Sequence, residues 1–278
     1  MINSWESVVG RPIIRKAAGH WNNLAVLEKN LRIAMGECGK LCEKQNDGRI
    51  FMTLSGGIDS SLCLALTRDE LGQQARIHTF TIGLRADHPD IVHARMVAKA
   101  FNTIHHEYIP EAMDIAEAIQ AKEDNPELFI ADGGIKMGGL GVFLLYQYIS
   151  KMAPSFAVIC HDGIDELLGG YWAHRQTQTK QAQAKNFQKF WGELQDKHLI
   201  PLTRKATYFD LAPIFPYLQK RVVSYITAIP LEERTSKAES KMPLRRIAAK
   251  YLPPEIITRR KLGFCDAMTS TAEIKKRT

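Results

Sequence analysis

The chain has 278 residues, is 45% hydrophobic and 24% charged, and carries a formal net charge of +7. That composition excludes disordered, collagenous and coiled-coil architectures, and the length predicts about two domains, or one large domain with an appendage. No apolar run approaches the ~18–20 residues of a membrane span, and the opening Met1-Ile2-Asn3-Ser4-Trp5-Glu6 lacks the basic-then-apolar pattern of a signal peptide.

Taken in chain order, Leu24, Leu27, Leu31, Ala34, Met35 and Leu41 recur near helical spacing. Asn46-Asp47-Gly48 marks a turn, and Ile50 to Leu54 reads as a buried strand. Ser55 to Asp59 is a Gly-rich turn, and Ser60 opens a helix to about Leu71. Strands are predicted at Arg76–Gly83, Ile104–Ile109 and Phe156–Cys160, with helices at Pro89–Phe101, Glu111–Lys122 and Lys136–Lys151. This alternation predicts βαβ units and an α/β fold with a parallel, Rossmann-like sheet. Beyond Tyr171 only helices are predicted: the polar Gln/Lys-rich stretch Thr177–Lys197, then Pro216–Ile229, Met242–Tyr251 and Glu255–Arg260. The Thr177–Lys197 stretch reads equally as a cover for a site or as a solvated helix.

The five cysteines are odd in number and irregularly spaced. They make no disulfide framework, and Cys38 and Cys42 have no second pair to complete a zinc site, so reduced thiols in a cytoplasmic protein are expected. Between Ala238 and Thr278 ten Lys/Arg stand against four Asp/Glu. A basic end suits an anionic ligand such as a nucleotide triphosphate or nucleic acid.

The most informative string is Leu54-Ser55-Gly56-Gly57-Ile58-Asp59-Ser60-Ser61, which joins a strand to a helix. Two glycines let the backbone approach a ligand, and the N–H groups of the helix start favour an anion. The Lys-Ser/Thr ending of the Walker loop is missing. An acid inside a phosphate cradle needs a reason, and the simplest is that Asp59 holds Mg²⁺ against phosphate oxygens. A second acidic cluster, His161-Asp162-Gly163-Ile164-Asp165-Glu166, follows the fourth strand. In a parallel sheet its carboxylates project over the same edge as Asp59. Cys160, His161 and Asp162 are consecutive and cannot converge as a nucleophile triad. His105 and His106 sit on opposite faces of a strand and read as structural rather than metal-binding.

The Ser-Gly-Gly-x-Asp-Ser string resembles the pyrophosphate loop of the N-type ATP pyrophosphatases, whose fold is adenine nucleotide alpha hydrolase-like. His161 to Tyr171, with its Gly169-Gly170-Tyr171 ending, resembles the motif of the asparagine synthase family. Phe80-Thr81-Ile82-Gly83, Thr103 to Glu107, Lys241-Met242-Pro243-Leu244-Arg245 and the closing Leu252-Pro253 to Phe264 resemble further segments of that family, over roughly Ala25 to Asp266. The resemblance implies an ATP-dependent, AMP-forming ligase: a carboxylate attacks the α-phosphorus, pyrophosphate leaves, and an amine displaces AMP. Carried over, Leu54 and Ile82 line the adenine pocket beside Cys160 and His161. Ser55, Gly56, Gly57, Asp59 and Ser60 hold pyrophosphate, and Asp59 and Asp165 hold Mg²⁺. Asp162 and Lys241 are the catalytic candidates, Lys241 reaching the α-phosphate and the developing charge of the transition state, with Arg245 or Lys261 assisting. The implied organisation is a helical extension over 1–48, an ATP-binding core over 49–175 and a helical region over 176–278 that completes the site.

The sequence departs from that family in three places. About 50 residues precede the loop and position 2 is Ile, so a glutaminase domain with its N-terminal Cys nucleophile is not expected within this sequence. Cys160-His161-Asp162 replaces Ser-Gly-Glu, and Asp is shorter than Glu by ~1.5 Å of reach, a shift to which catalysis is sensitive. Ile214 to Gln219 only loosely matches Arg-Val-Pro-Phe-Leu-Asp. The expected cofactors are ATP and Mg²⁺. The expected partners are a small carboxylate and ammonia or another amine, with a separate glutaminase subunit, nucleic acid and a second copy of the chain as further candidates; no membrane partner is expected. The competing expectations are a ligase that uses a non-ammonia amine, as in β-lactam synthetase, and an inactive nucleotide- or RNA-binding homologue.

Overall fold

The computed structural model describes residues 5–14, 23–129, 138–152 and 156–259. Five parallel strands form one sheet in the order β3-β2-β1-β4-β5: β1 Arg49–Thr53, β2 Arg76–Ile82, β3 Ile104–Tyr108, β4 Phe156–Ile159 and β5 Leu211–Ile214. α1 Leu24–Gln45 precedes β1, and α2 Ile58–Leu71, α3 Pro89–Ala100, α4 Ala112–Asp124 and α5 Gly138–Ser150 run between β1 and β4. After β4 come α6 Ile164–Leu168, α7 Trp172–Arg175, α8 Lys180–Leu194 and α9 Ile200–Tyr208, and after β5 come α10 Lys220–Ile226, α11 Leu231–Arg234, α12 Met242–Ala248 and α13 Pro254–Thr258. No helix among the described residues is long and apolar enough to cross a membrane.

The chain builds β1, β2 and β3 outward in one direction, then returns to lay β4 on the other side of β1. The strand order therefore reverses between β1 and β4, and ligands of open parallel sheets bind in the crevice beyond the strand ends at such a point. β1 and β4 share a single registered pair, Met52 with Ile159. The gap below it is filled from α1. Asn46 donates through Nδ2 to Ala157 O at 2.8 Å and accepts from Ala157 N at 2.9 Å, while Cys42 Sγ accepts from Phe51 N at 3.3 Å. Two side chains thus satisfy backbone groups that a full ladder would have paired.

β5 corrects the expectation of helices alone after Tyr171. It is four residues long and carries Pro213, which pairs with Val158. Proline is tolerated because β5 lies at the sheet edge, where an N–H partner is dispensable. The Thr177–Lys197 stretch is not a solvated helix either. α8 buries Phe187, Trp191 and Leu194, and its Asn186 and Gln183 donate to the α7 carbonyls of Ala173 and His174. His106 stacks on Phe80 and bonds His78, while His105 bonds Thr79 across the sheet, so both are structural as read from the sequence. The closing Arg260 to Phe264 of the family-like pattern, Lys261 included, lies outside the described residues.

Candidate active site

The loop after β1 is held by its own hydroxyls. Ser60 Oγ sits 3.1 Å from Ser55 Oγ, accepts from Ser55 N and donates to Gly57 O. Gly56 has φ +66°, and a Cβ there would lie 2.5 Å from Ala94 N of α3. Only glycine meets both demands. Gly57 caps α2 with extended backbone and no side-chain bond, so the first N–H groups of the helix are left for a ligand.

Asp59 stands in the first turn of α2, and Asp165 in the first turn of α6 beyond β4. Lys241 reaches between them: its Nζ lies 2.5 Å from Asp59 Oδ2 and 2.7 Å from Asp165 Oδ1. Burial alone favours the neutral amine, but the charges of Asp165 and Asp59 outweigh it and hold Lys241 above its ordinary value. Lys241 is itself left-handed at φ 55°, a conformation that costs a non-glycine residue ~1–3 kcal/mol and collects at functional sites. Its N–H is tied to Leu168 O at 3.2 Å. Gly170 lets the three groups meet, since a Cβ there would fall 1.6 Å from Asp165 Oδ1 and 2.5 Å from Lys241 Cε.

Asp59 Oδ1 is buried without a hydrogen-bond partner among the described residues. No group of three or more His, Cys, Asp or Glu among those residues could enclose a metal. Two carboxylates with an unused buried oxygen do not make an all-protein cage. They do fit Mg²⁺, which typically takes one or two carboxylates and completes its shell with phosphate oxygens and water.

Around this centre lie two adjoining hollows. The polar one is lined by Ser55, Gly57, Asp59, Asp165, Lys241 and Arg245 among others. The apolar one is lined by Leu54, Phe80, Ile82, Val142, Leu145 and Leu202 among others. Ser55, Asp90, His161, Asp162 and His198 face both. Arg259 closes the rim: it donates to Ser55 O at 2.9 Å and pairs with Asp90 at the start of α3.

His198 was not singled out from the sequence. Its Nε2 lies 2.8 Å from Asp162 Oδ1. Burial works against its charge, but the hydrogen bond and charge of Asp162, followed by Glu166 and Asp165, raise it to about 9. Burial likewise opposes ionisation of Asp162, and His198 reverses that and holds the carboxyl below its ordinary value. Glu166 goes the other way, pushed up by burial, and accepts the Tyr171 hydroxyl at 2.6 Å.

The asparagine synthase family model matches residues 42–211 and 204–277, which includes both acidic strand ends and the lysine. The chain belongs to the asparagine synthase family. Its relatives include the glutamine-hydrolyzing asparagine synthetases of Mesocricetus auratus, 30% identical over 89% of this chain and 44% of the relative, and of Gallus gallus, 31% identical over 80% and 40%. The chain thus spans less than half the length of these curated relatives. Solved structures with some likeness are an NMN synthetase from Francisella tularensis, 14% identical over 88% of this chain and 99% of that one with a TM-score of 0.37, and an NH3-dependent NAD synthetase from Campylobacter jejuni, 20% identical over 55% and 62% with a TM-score of 0.36.

Within this asparagine synthase frame, Asp59, Asp165 and Lys241 converge, and Ser55, Gly57, His161 and Asp162 border the same cleft. Leu54 and Ile82 border the apolar hollow with Cys160. Gly56 and Ser60 shape the loop from behind, Gly56 against α3 and Ser60 through its internal bonds. Cys160 is buried beside the Tyr146 hydroxyl, and burial pushes its thiol far up, the setting of a small packed residue. Arg245 spends Nε and one terminal nitrogen on Ser240 O and Ile257 O. No sequence signal singles out His198; Pro201, three residues on, marks only an irregularity in the helix. For Arg259 the signal was the closing Arg-rich string.

Proposed function

We propose that the chain is an ATP-dependent, AMP-forming carbon–nitrogen ligase. A carboxylate oxygen of a small acid attacks the α-phosphorus, and the bond to the bridging oxygen breaks to release pyrophosphate. The nitrogen of ammonia or another amine then attacks the acyl carbon, the bond to AMP breaks, and the amine loses a proton to give a neutral amide. The apolar hollow takes the adenine. The Ser55–Gly57 turn and the start of α2 take the diphosphate. Mg²⁺, when bound by Asp59 and Asp165, would supply charge neutralisation for the departing diphosphate. Lys241 holds both acids in place and offers its ammonium to the phosphate charge that develops opposite the loop; preorganised charge of this kind is worth several kcal/mol in a site shielded from water, on the order of 3 kcal/mol per donor. No covalent enzyme intermediate is needed. The amine reaches the site as free ammonia, from a separate glutaminase subunit, or as another amine.

The observation that supports this reading most is the meeting of Asp59 and Asp165, from two different strand ends, on one buried lysine beside a phosphate-type loop. The test is to incubate the protein with ATP, Mg²⁺, ammonia and a panel of carboxylic acids and to follow pyrophosphate. Acid-dependent release that Asp59→Ala abolishes is expected. Full release by Asp59→Ala rejects the assignment.

A further inference from the structure

We propose that His198 is a second cationic contact, beside Lys241, to the α-phosphate of the nucleotide, at the seam between the nucleobase hollow and the phosphate cleft. The inference rests on the ligase reading above and names one contact within it.

A nucleotide with its base in the apolar hollow and its diphosphate on the loop must place its sugar and first phosphate at the seam, and His198 lines both hollows. Lys241, Arg245 and Arg259 line the polar cleft and are absent from the apolar one. Arg245 and Arg259 also spend most of their donors, Arg245 on two carbonyls and Arg259 on Asp90 and Ser55 O. His161 faces the seam too, but His198 is the histidine there that Asp162 holds.

Nε2 of His198 is fixed by Asp162, while Nδ1 makes no hydrogen bond to the described residues, and the side chain keeps 43% of its surface open. The ring is therefore oriented by one nitrogen and has a donor left on the other. Its raised affinity for the proton, set by Asp162, Glu166 and Asp165, supplies the charge an anion needs.

His198 lies in a π-helical stretch, Gln195–Leu199, between α8 and α9. Ile200 N–H bonds back to Gln195 O, five residues away. Pro201 comes next, in the first turn of α9, and has no N–H to give Lys197 O, where an α-helical ladder would have placed a bond. One extra residue in the turn rotates the start of α9 by about 100° relative to an unbroken helix. Such bulges are frequent at functional sites, and this one carries the histidine that meets Asp162.

The test uses the full chain and three probes in the presence of Mg²⁺: AMP, adenosine and pyrophosphate, each titrated calorimetrically into wild type and His198→Gln. A charge-assisted hydrogen bond predicts that His198→Gln weakens AMP by roughly 10- to 100-fold. Adenosine and pyrophosphate should hold within about twofold, since neither reaches His198 through an α-phosphate. Equal AMP affinity in the two proteins overturns the inference, as does a loss of adenosine as large as that of AMP, which would mean a collapsed pocket. If His198→Gln does not fold, histidine ring resonances of wild type are followed by NMR: those of His198 should move with AMP and stay with adenosine, and no such difference overturns the inference. Wild type that binds pyrophosphate but not AMP refutes this contact alone, whereas wild type that binds neither takes the ligase reading with it.

Discussion

Replacing Lys241 by Met removes the ammonium and keeps most of the volume. The side chain is 2% exposed and touches Asp59 and Asp165, whose side chains are 15% and 19% exposed. Without it two neighbouring carboxylates face each other in a largely buried place. Breaking a buried pair in this way costs about 3–5 kcal/mol. The left-handed backbone at position 241 is as unfavourable for Met as for Lys, so the difference isolates the charge. At about 2–4 °C per kcal/mol for a chain of this size, the melting temperature should fall by roughly 6–20 °C. Mg²⁺ should recover part of the loss in the variant, because a cation between the carboxylates restores what the ammonium supplied. The assay is thermal unfolding by circular dichroism with and without Mg²⁺, at matched ionic strength. A double-mutant cycle sharpens it. Asp59→Asn should destabilise wild type, which loses a lysine partner, and stabilise Lys241→Met, which loses a like charge. Additive effects, or a melting temperature for Lys241→Met within about 2 °C of wild type, well short of the roughly 6–20 °C expected, would refute the proposed balance of charges.

Gly170→Ala should be among the most damaging single-methyl additions in the chain, because its Cβ would fall 1.6 Å from Asp165 Oδ1; loss of pyrophosphate release together with a lower melting temperature is expected. Asn46→Ala strands the N–H and carbonyl of Ala157 where β1 and β4 barely pair, and chemical denaturation should show a loss of about 2–4 kcal/mol. His198 carries a folded value of about 9 against an ordinary 6.5, in the field of Asp162, Glu166 and Asp165. Its contribution is therefore full below pH 6.5 and is lost as pH rises through about 9. The ring is 43% exposed, so screening leaves roughly 1 kcal/mol. The stability gap between wild type and His198→Gln should shrink from pH 6 to pH 9.5, an interval chosen to bracket the two values; a gap that widens contradicts the pairing with Asp162.

The central strands and their helices were legible because their signals are local. Ile50 to Leu54 is a continuous apolar run closed by a glycine turn, as a strand buried on both faces must be. The convergence of Asp59 with Asp165 was legible for a similar reason: each follows a strand, and parallel strands end on one edge. β5 was not legible, because Leu211-Ala212-Pro213-Ile214 carries a proline that argues against a strand unless its edge position is known. His198 was hidden for a different reason. It lies 36 residues beyond Asp162, a separation that no spacing rule bridges, and its placement depends on a widened turn just before Pro201. Lys241 was recognisable as a motif member, but its role as the bridge between the two acids is a property of the fold, set by Gly170 and a left-handed backbone.

The fate of the phosphates decides the matter most directly. ³¹P NMR of a reaction containing ATP, Mg²⁺, ammonia and an accepted acid should show AMP and pyrophosphate growing in equal amounts. ADP and orthophosphate in their place would mean attack at the terminal phosphorus, and the loop, the two acids and Lys241 would have been given the wrong chemistry.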